Sequence, residues 1–222
     1  GYMNTNVTVI GIEAGVRFGP LGNTHYAMDD VAVVRAIPNF TVLAPSDPLS
    51  THKALSACIE HEGPVYVRLT GGPGYPVMYP EDFDFQIGKA IEYRTGSDVA
   101  FVSTGSLLAD AVAAADILEG KGISARVVDM HTVKPLDTAM LDEVFAENRL
   151  VVTVEEHSPF GGLGGAVAEY KAGFADAPRQ VIASLGDKFQ KLGDHGFLMK
   201  ENGLTGPDLA ALAEANLSVA GE

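Results

Sequence analysis

His25 closes the run Gly19-Pro-Leu-Gly-Asn-Thr-His25, a Gly-rich polar loop set between a strand and a helix. An imidazole donates or accepts a hydrogen bond near neutral pH, and reacting residues in α/β proteins gather on loops of this kind. The pattern offers His25 as a candidate reacting residue; a loop histidine bonded only to backbone is the other reading. Glu155-Glu156-His157 ends a β-branched run and precedes Gly161-Gly-Leu-Gly-Gly165. Metal ligation needs convergent ligands at a fixed spacing, which nothing here supplies, so core or interface polar contacts are expected. Thr104-Gly105-Ser106 lies between a strand and a helix, where capping by Ser106 is expected ahead of anion binding. His52, His61, His131 and His195 stand in no motif.

Charge and composition narrow the classes. The chain of 222 residues carries 29 acidic and 15 basic side chains, a net charge of −14. Such a surface repels phosphate backbones, and no Lys/Arg cluster offsets it, so nucleic acid is an unsuitable partner. No apolar run approaches the roughly 20 residues that span a bilayer. No signal segment opens the chain, and a cytoplasmic protein without membrane contact is expected. Cys58 is the one cysteine, which excludes an internal disulfide and a Cys-based zinc site. It falls in a helical apolar pattern and reads as a small buried hydrophobe.

Periodicity places these residues on elements. Strands are predicted over 6–12, 40–44, 64–70, 98–104, 125–130, 150–154 and 180–185. The first reads as a buried parallel strand. Helices are predicted over 28–37, from a cap at Ser46 or Asp47 to Gly63, from Ser106 to Gly120, and over 137–148, 163–174 and 207–217. Asp29 and Asp30 open the first of these and suit its positive end. Residues 71–84, rich in Gly and Pro, read as a linker. The fold class is α/β, two domains over 1–84 and 85–222, each a mainly parallel sheet flanked by helices. With only three strands the first domain reads as incomplete at its N-terminus, leaving an exposed apolar edge.

The order Gly22-x-Thr-His25, Asp29-Asp30, Arg35-Ala-Ile-Pro-Asn39 and a strand ending in Pro45-x-Asp47 resembles the pyrimidine-binding domain of the transketolase family. The stretches 98–105, 127–137 and 152–165 resemble that family's C-terminal domain, so the resemblance covers nearly the whole chain. It implies a thiamine diphosphate- and Mg²⁺-dependent enzyme that transfers a two-carbon ketol unit between sugars. It also implies that the cofactor is bound mainly outside this chain. The family's Gly-Asp-Gly motif is absent, Gly193-Asp-His-Gly196 not being one, and its activating glutamate falls upstream of Val7. The resemblance therefore carries no cofactor-binding or metal-ligating residue onto this sequence. The implied partner is an N-terminal, pyrophosphate-binding subunit, in a homodimer or an α₂β₂ assembly, as in a split transketolase.

The resemblance assigns His25 to the catalytic histidine after Gly-x-Thr, and Glu13, Leu21, Thr24 and Gly71 to substrate-binding positions. Three of these depart from the pattern. Leu21 replaces an acid, Glu13 a phosphate-binding histidine and Gly71 a phosphate-binding arginine. A carboxylate repels phosphate and glycine offers no charge, so a sugar without a terminal phosphate is expected. Arg17 and Arg68 are substitute cations, Arg68 having a structural ion pair as its other reading. The beta subunit of a 2-oxo acid dehydrogenase shares the fold, but Arg35-Ala-Ile-Pro-Asn39 favours transketolase. A non-catalytic structural or regulatory paralogue is the reading from a different class.

Overall fold

A computed structural model describes residues 1–70, 75–80 and 83–218. Among the described residues nine strands form two sheets. The first has the order β1 (Thr8–Gly11), β3 (Val65–Arg68), β2 (Thr41–Leu43), β7 (Thr132–Lys134); the second runs β4 (Ile91–Arg94), β6 (Ala125–Asp129), β5 (Val99–Ser103), β8 (Leu150–Val154), β9 (Arg179–Ala183). Within each sheet all pairings are parallel except one at an edge, β7 against β2 and β4 against β6. Both sheets are thus mainly parallel, as predicted.

The second sheet follows directly from its sequence. β5, β6 and β8 are buried at every residue, as strands covered on both faces must be. Their side chains alternate between two cores. Val99, Phe101, Val127 and Val152 pack with α3 (Leu108–Glu119) and α7 (Gly206–Leu217). Ala100, Val102, Val128 and Val151 pack with α4 (Thr138–Glu147) and α5 (Leu163–Lys171). Asp137 caps α4 through the Met140 amide, as expected.

The first sheet departs from expectation in two ways. β1 is an edge strand rather than a buried one. Val9 and Ile10, on opposite faces, are 46% and 47% exposed, so among the described residues neither face is covered. An apolar run fixes strand propensity but cannot say whether a neighbour exists to bury it. The fourth strand, β7, has no counterpart among the predicted elements. It is three residues long, and the chain after β6 passes through the buried His131 to reach β2 antiparallel. The Ala44 amide donates to the His131 carbonyl and the Gly105 amide to the Ala44 carbonyl, so backbone bonds stitch the two sheets together. β4 and α6 (His195–Glu201) are likewise additional to the predicted elements. Ser106 does not cap a helix. It sits inside a 3₁₀ turn, Gly105–Leu107, that enters α3 without a side-chain cap.

Two carboxylates pin the segment after residue 74. Asp47 caps α2 (Pro48–Glu60) with Oδ1 on the Ser50 amide at 2.6 Å, a reciprocal capping box. Its Oδ2 accepts from the amides of Met78 and Tyr79 at 2.7 and 3.1 Å. Asp129, fully buried, accepts from Ser46 Oγ and Tyr79 OH on Oδ2, both at 2.7 Å, while Oδ1 has no partner among the described residues. Burial, together with the nearby Asp47, pushes the Asp129 carboxyl up to about 7. The folded protein therefore keeps a proton that the unfolded chain releases near pH 4, and stability falls as pH rises toward 7. Asp129→Asn removes that loss. The variant's unfolding free energy relative to the parent should rise in its favour between pH 4 and 8, by up to about 4 kcal/mol, in urea titrations at each pH.

Candidate active site

The His25 loop follows β1, which ends at Gly11, and returns to α1 (Asp30–Ala36). Gly15 and Ala27 close its neck by exchanging both backbone hydrogen bonds at 2.9 Å. The far side is pinned to the second domain. Asn23 Nδ2 donates to the Gln190 carbonyl and Asn23 Oδ1 accepts the Gln190 amide, each at 2.8 Å. The Tyr26 hydroxyl lies 2.7 Å from the Gly19 carbonyl and 3.0 Å from that of Lys191. Gly19 itself runs so close to residue 193 that a Cβ would sit 2.1 Å from the Gly193 carbonyl oxygen. Reciprocal bonds of this kind hold a loop without burying it.

The entrance to the loop depends on Glu156. Its Oε1 accepts the Val16 amide at 2.7 Å, and its Oε2 lies 3.1 Å from His195 Nε2. Gly15 has φ +69° and packs against this carboxylate, so a Cβ there would stand 2.2 Å from Oε1. The exit depends on Arg68. Its guanidinium pairs with Asp30 at 2.9 Å and donates to the carbonyls of Ala27 and Glu156 at 3.1 and 2.8 Å. Burial acts to raise the Asp30 carboxyl, but Arg68 and the Tyr66 hydroxyl outweigh it and hold the group below the usual carboxylate range. Of the two readings of Arg68, the structural ion pair is correct: at 3% exposure it is not a phosphate ligand. Asp30 is its partner and, as expected, also stands in the first turn of α1.

His25 is exposed at the end of this braced loop, its Nδ1 3.0 Å from Thr24 Oγ1 and its ring edge-on to Phe18 at 6.2 Å. With Nδ1 occupied by the hydroxyl, Nε2 is the nitrogen offered to an outside group. Leu21, 53% exposed, lies on the same loop in a 3₁₀ turn. The structure thus gathers Leu21, Thr24 and His25. Glu13 sits at the neck with φ +56°, its carboxylate 4.0 Å from Arg17, whose guanidinium lies over the Tyr75 ring at 5.2 Å. Gly71 lies outside the described residues.

Glu155 and His157 are structural, as expected. Glu155 accepts the Leu163 and Gly164 amides at 2.7 and 2.8 Å, satisfying the start of α5. His157 donates from Nδ1 to the Ser158 carbonyl at 2.8 Å and accepts the Ala32 amide on Nε2 at 3.4 Å. Burial and Arg68 hold its pKa down. Among the described residues no group of three or more His, Cys, Asp or Glu side chains converges to hold a metal ion. No described helix is long and apolar enough to cross a membrane. Asn23, Gln190, Tyr75 and His195 also belong to the site, and no sequence pattern points to them. Their partners lie tens to more than a hundred positions away, beyond the reach of any local motif.

Two α/β domains with an exposed histidine on a loop braced between them define a pyrimidine-binding domain joined to a transketolase-type C-terminal domain. Residues 1–72 match the transketolase pyrimidine binding domain and residues 88–206 the transketolase C-terminal domain. A 6-deoxy-6-sulfo-D-fructose transketolase subunit from Clostridium sp. is 35% identical, covering 96% of this chain and 65% of its own length. An apulose-4-phosphate transketolase subunit from Actinobacillus succinogenes is also 35% identical, covering 96% and 68%. A solved split-gene transketolase, described as an inactive beta4 tetramer, superposes with TM-score 0.86 at 36% identity over 98% of this chain and 68% of that one. The chain belongs to the transketolase family. It spans 54% to 68% of the length of the split-type relatives it matches.

Two substitutions test the bracing. Arg68→Ala leaves the mostly buried Asp30 without its cation and should cost about 3 kcal/mol in chemical denaturation. Gly15→Ala forces a Cβ into a left-handed position against Glu156 and should cost about 1–3 kcal/mol by the same measurement.

Proposed function

We propose that this chain is the C-terminal subunit of a split, thiamine diphosphate-dependent transketolase, moving a two-carbon ketol unit between sugars once an N-terminal subunit is docked beside the His25 loop. The observation that carries this reading is the exposed imidazole on a loop held at neck, entrance and far side. A side chain displayed to solvent on so constrained a backbone suits contact with something outside the chain. In the assembled enzyme the partner supplies the Mg²⁺ and diphosphate ligands. His25 holds a substrate oxygen near the reacting carbon through Nε2, with Thr24 fixing the ring. A homodimeric or α₂β₂ assembly in the cytoplasm accompanies this reading.

The substrate we propose is a sugar without a terminal phosphate. Glu13 places a carboxylate where the family carries a phosphate-binding histidine, Gly71 stands where it carries a phosphate-binding arginine, and Arg68 is engaged with Asp30. One relative is named for a sulfonated sugar and another for a sugar phosphate, so a departure in the donor has company in the family.

Mixing the chain with its N-terminal subunit, thiamine diphosphate and Mg²⁺ should yield ketol transfer that neither subunit gives alone. His25→Ala in that mixture should lower kcat by about 10² or more while leaving cofactor binding unchanged by calorimetry. Unphosphorylated ketoses should outperform their phosphate esters in kcat/KM; the reverse order refutes the substrate assignment. Absence of cofactor binding by the mixture favours a structural paralogue.

A further inference from the structure

Besides the contacts of residues 190–193, the second domain reaches the entrance of the His25 loop through a carboxylate. Glu156 follows β8, is 2% exposed, and takes the Val16 amide on Oε1 at 2.7 Å. Its other oxygen meets His195 Nε2 at 3.1 Å. His195 is the first residue of α6 and faces Tyr75, whose hydroxyl lies 3.4 Å from Nδ1 and whose ring stands edge-on at 6.1 Å. Arg17, the residue after Val16, lies over that same tyrosine. The contacts therefore form a closed circuit: Val16 to Glu156, to His195, to Tyr75, to Arg17 and back along the chain to Val16.

Each oxygen of a carboxylate accepts separately, and a buried carboxylate turns to wherever its donors are. His195 occupies Oε2 and so keeps Oε1 directed at Val16. Removing the ring would leave the carboxylate free to rotate away from the loop. We propose that Glu156 and His195 are positioning residues, a carboxylate–imidazole couple by which the second domain sets the seat of the His25 loop and hence how His25 meets the substrate. The catalytic consequence rests on the transketolase reading above; the seating of the loop does not.

Amide hydrogen exchange on the full chain tests the seating. Glu156→Ala and His195→Phe, the latter keeping a ring without nitrogen, should accelerate exchange across residues 14–27 roughly tenfold or more, with β5 and β8 unchanged. Glu156→Gln and His195→Gln, which retain an acceptor and a donor, should stay close to the parent. In the complex with the N-terminal subunit, thiamine diphosphate and Mg²⁺, His195→Phe should lower kcat about tenfold with cofactor affinity unchanged, and His195→Gln should restore most of it. Unchanged loop exchange in both disruptive variants overturns the proposal, as does acceleration spread equally through β8 and α5. If the parent complex proves inactive, the transketolase reading falls and the exchange result alone decides the seating.

Discussion

One residue governs both ends of the His25 loop. The side chain of Glu156 accepts the amide of Val16 as the loop begins, and its main-chain carbonyl accepts from Arg68, which also holds Ala27 as the loop ends. Both bonds are made in a region from which water is excluded, where a charge-assisted hydrogen bond is strong and an unmet charge is costly. The rest of the local architecture complies with that requirement. Gly15 is a glycine because the carboxylate occupies the space of its Cβ. Asp30 and Tyr66 complete the surroundings of Arg68. The histidine at the tip can be exposed because everything beneath it is fixed.

The two sheets answer different demands. In the second, alternate residues of each central strand enter separate cores, and the strands are interior throughout. Its sequence is correspondingly direct, continuous β-branched runs punctuated by helices. The first sheet is sparse and concentrates its bare apolar surface on and around β1, where Val7, Val9, Ile10 and Ile12 are each at least 46% exposed. That uncovered strand precedes the loop bearing the candidate catalytic group, so exposed apolar surface and exposed chemistry share one stretch of chain.

What is legible in the sequence follows this division. Helical and strand periodicity locates the central elements because local pattern and burial agree there. Asp47 and Asp137 are visible as caps because capping is decided within a few residues. The exposed position of His25 follows from the polar, Gly-rich loop around it. β1 reads as interior from its composition, that of a covered strand, whereas among the described residues it pairs with β3 on one side only and forms the open apolar edge that the strand count implies. β7 is illegible because three residues carry no periodicity and its pairing with β2 is long-range. The ion pair read for Arg68 gains its partner only when Asp30 is placed beside it, and the Glu156–His195 contact joins residues that no short motif links.

The pairing of β7 with β2 also orders events in time. The strand that borders Thr41–Leu43 is Thr132–Lys134, which leaves the ribosome only after β5, α3 and β6 have been made. The first sheet therefore waits, one edge open, while most of the second is being synthesised. A strand that lies in sequence among the elements of the second sheet thus completes the border of the first, and neither sheet is built from one continuous stretch of chain.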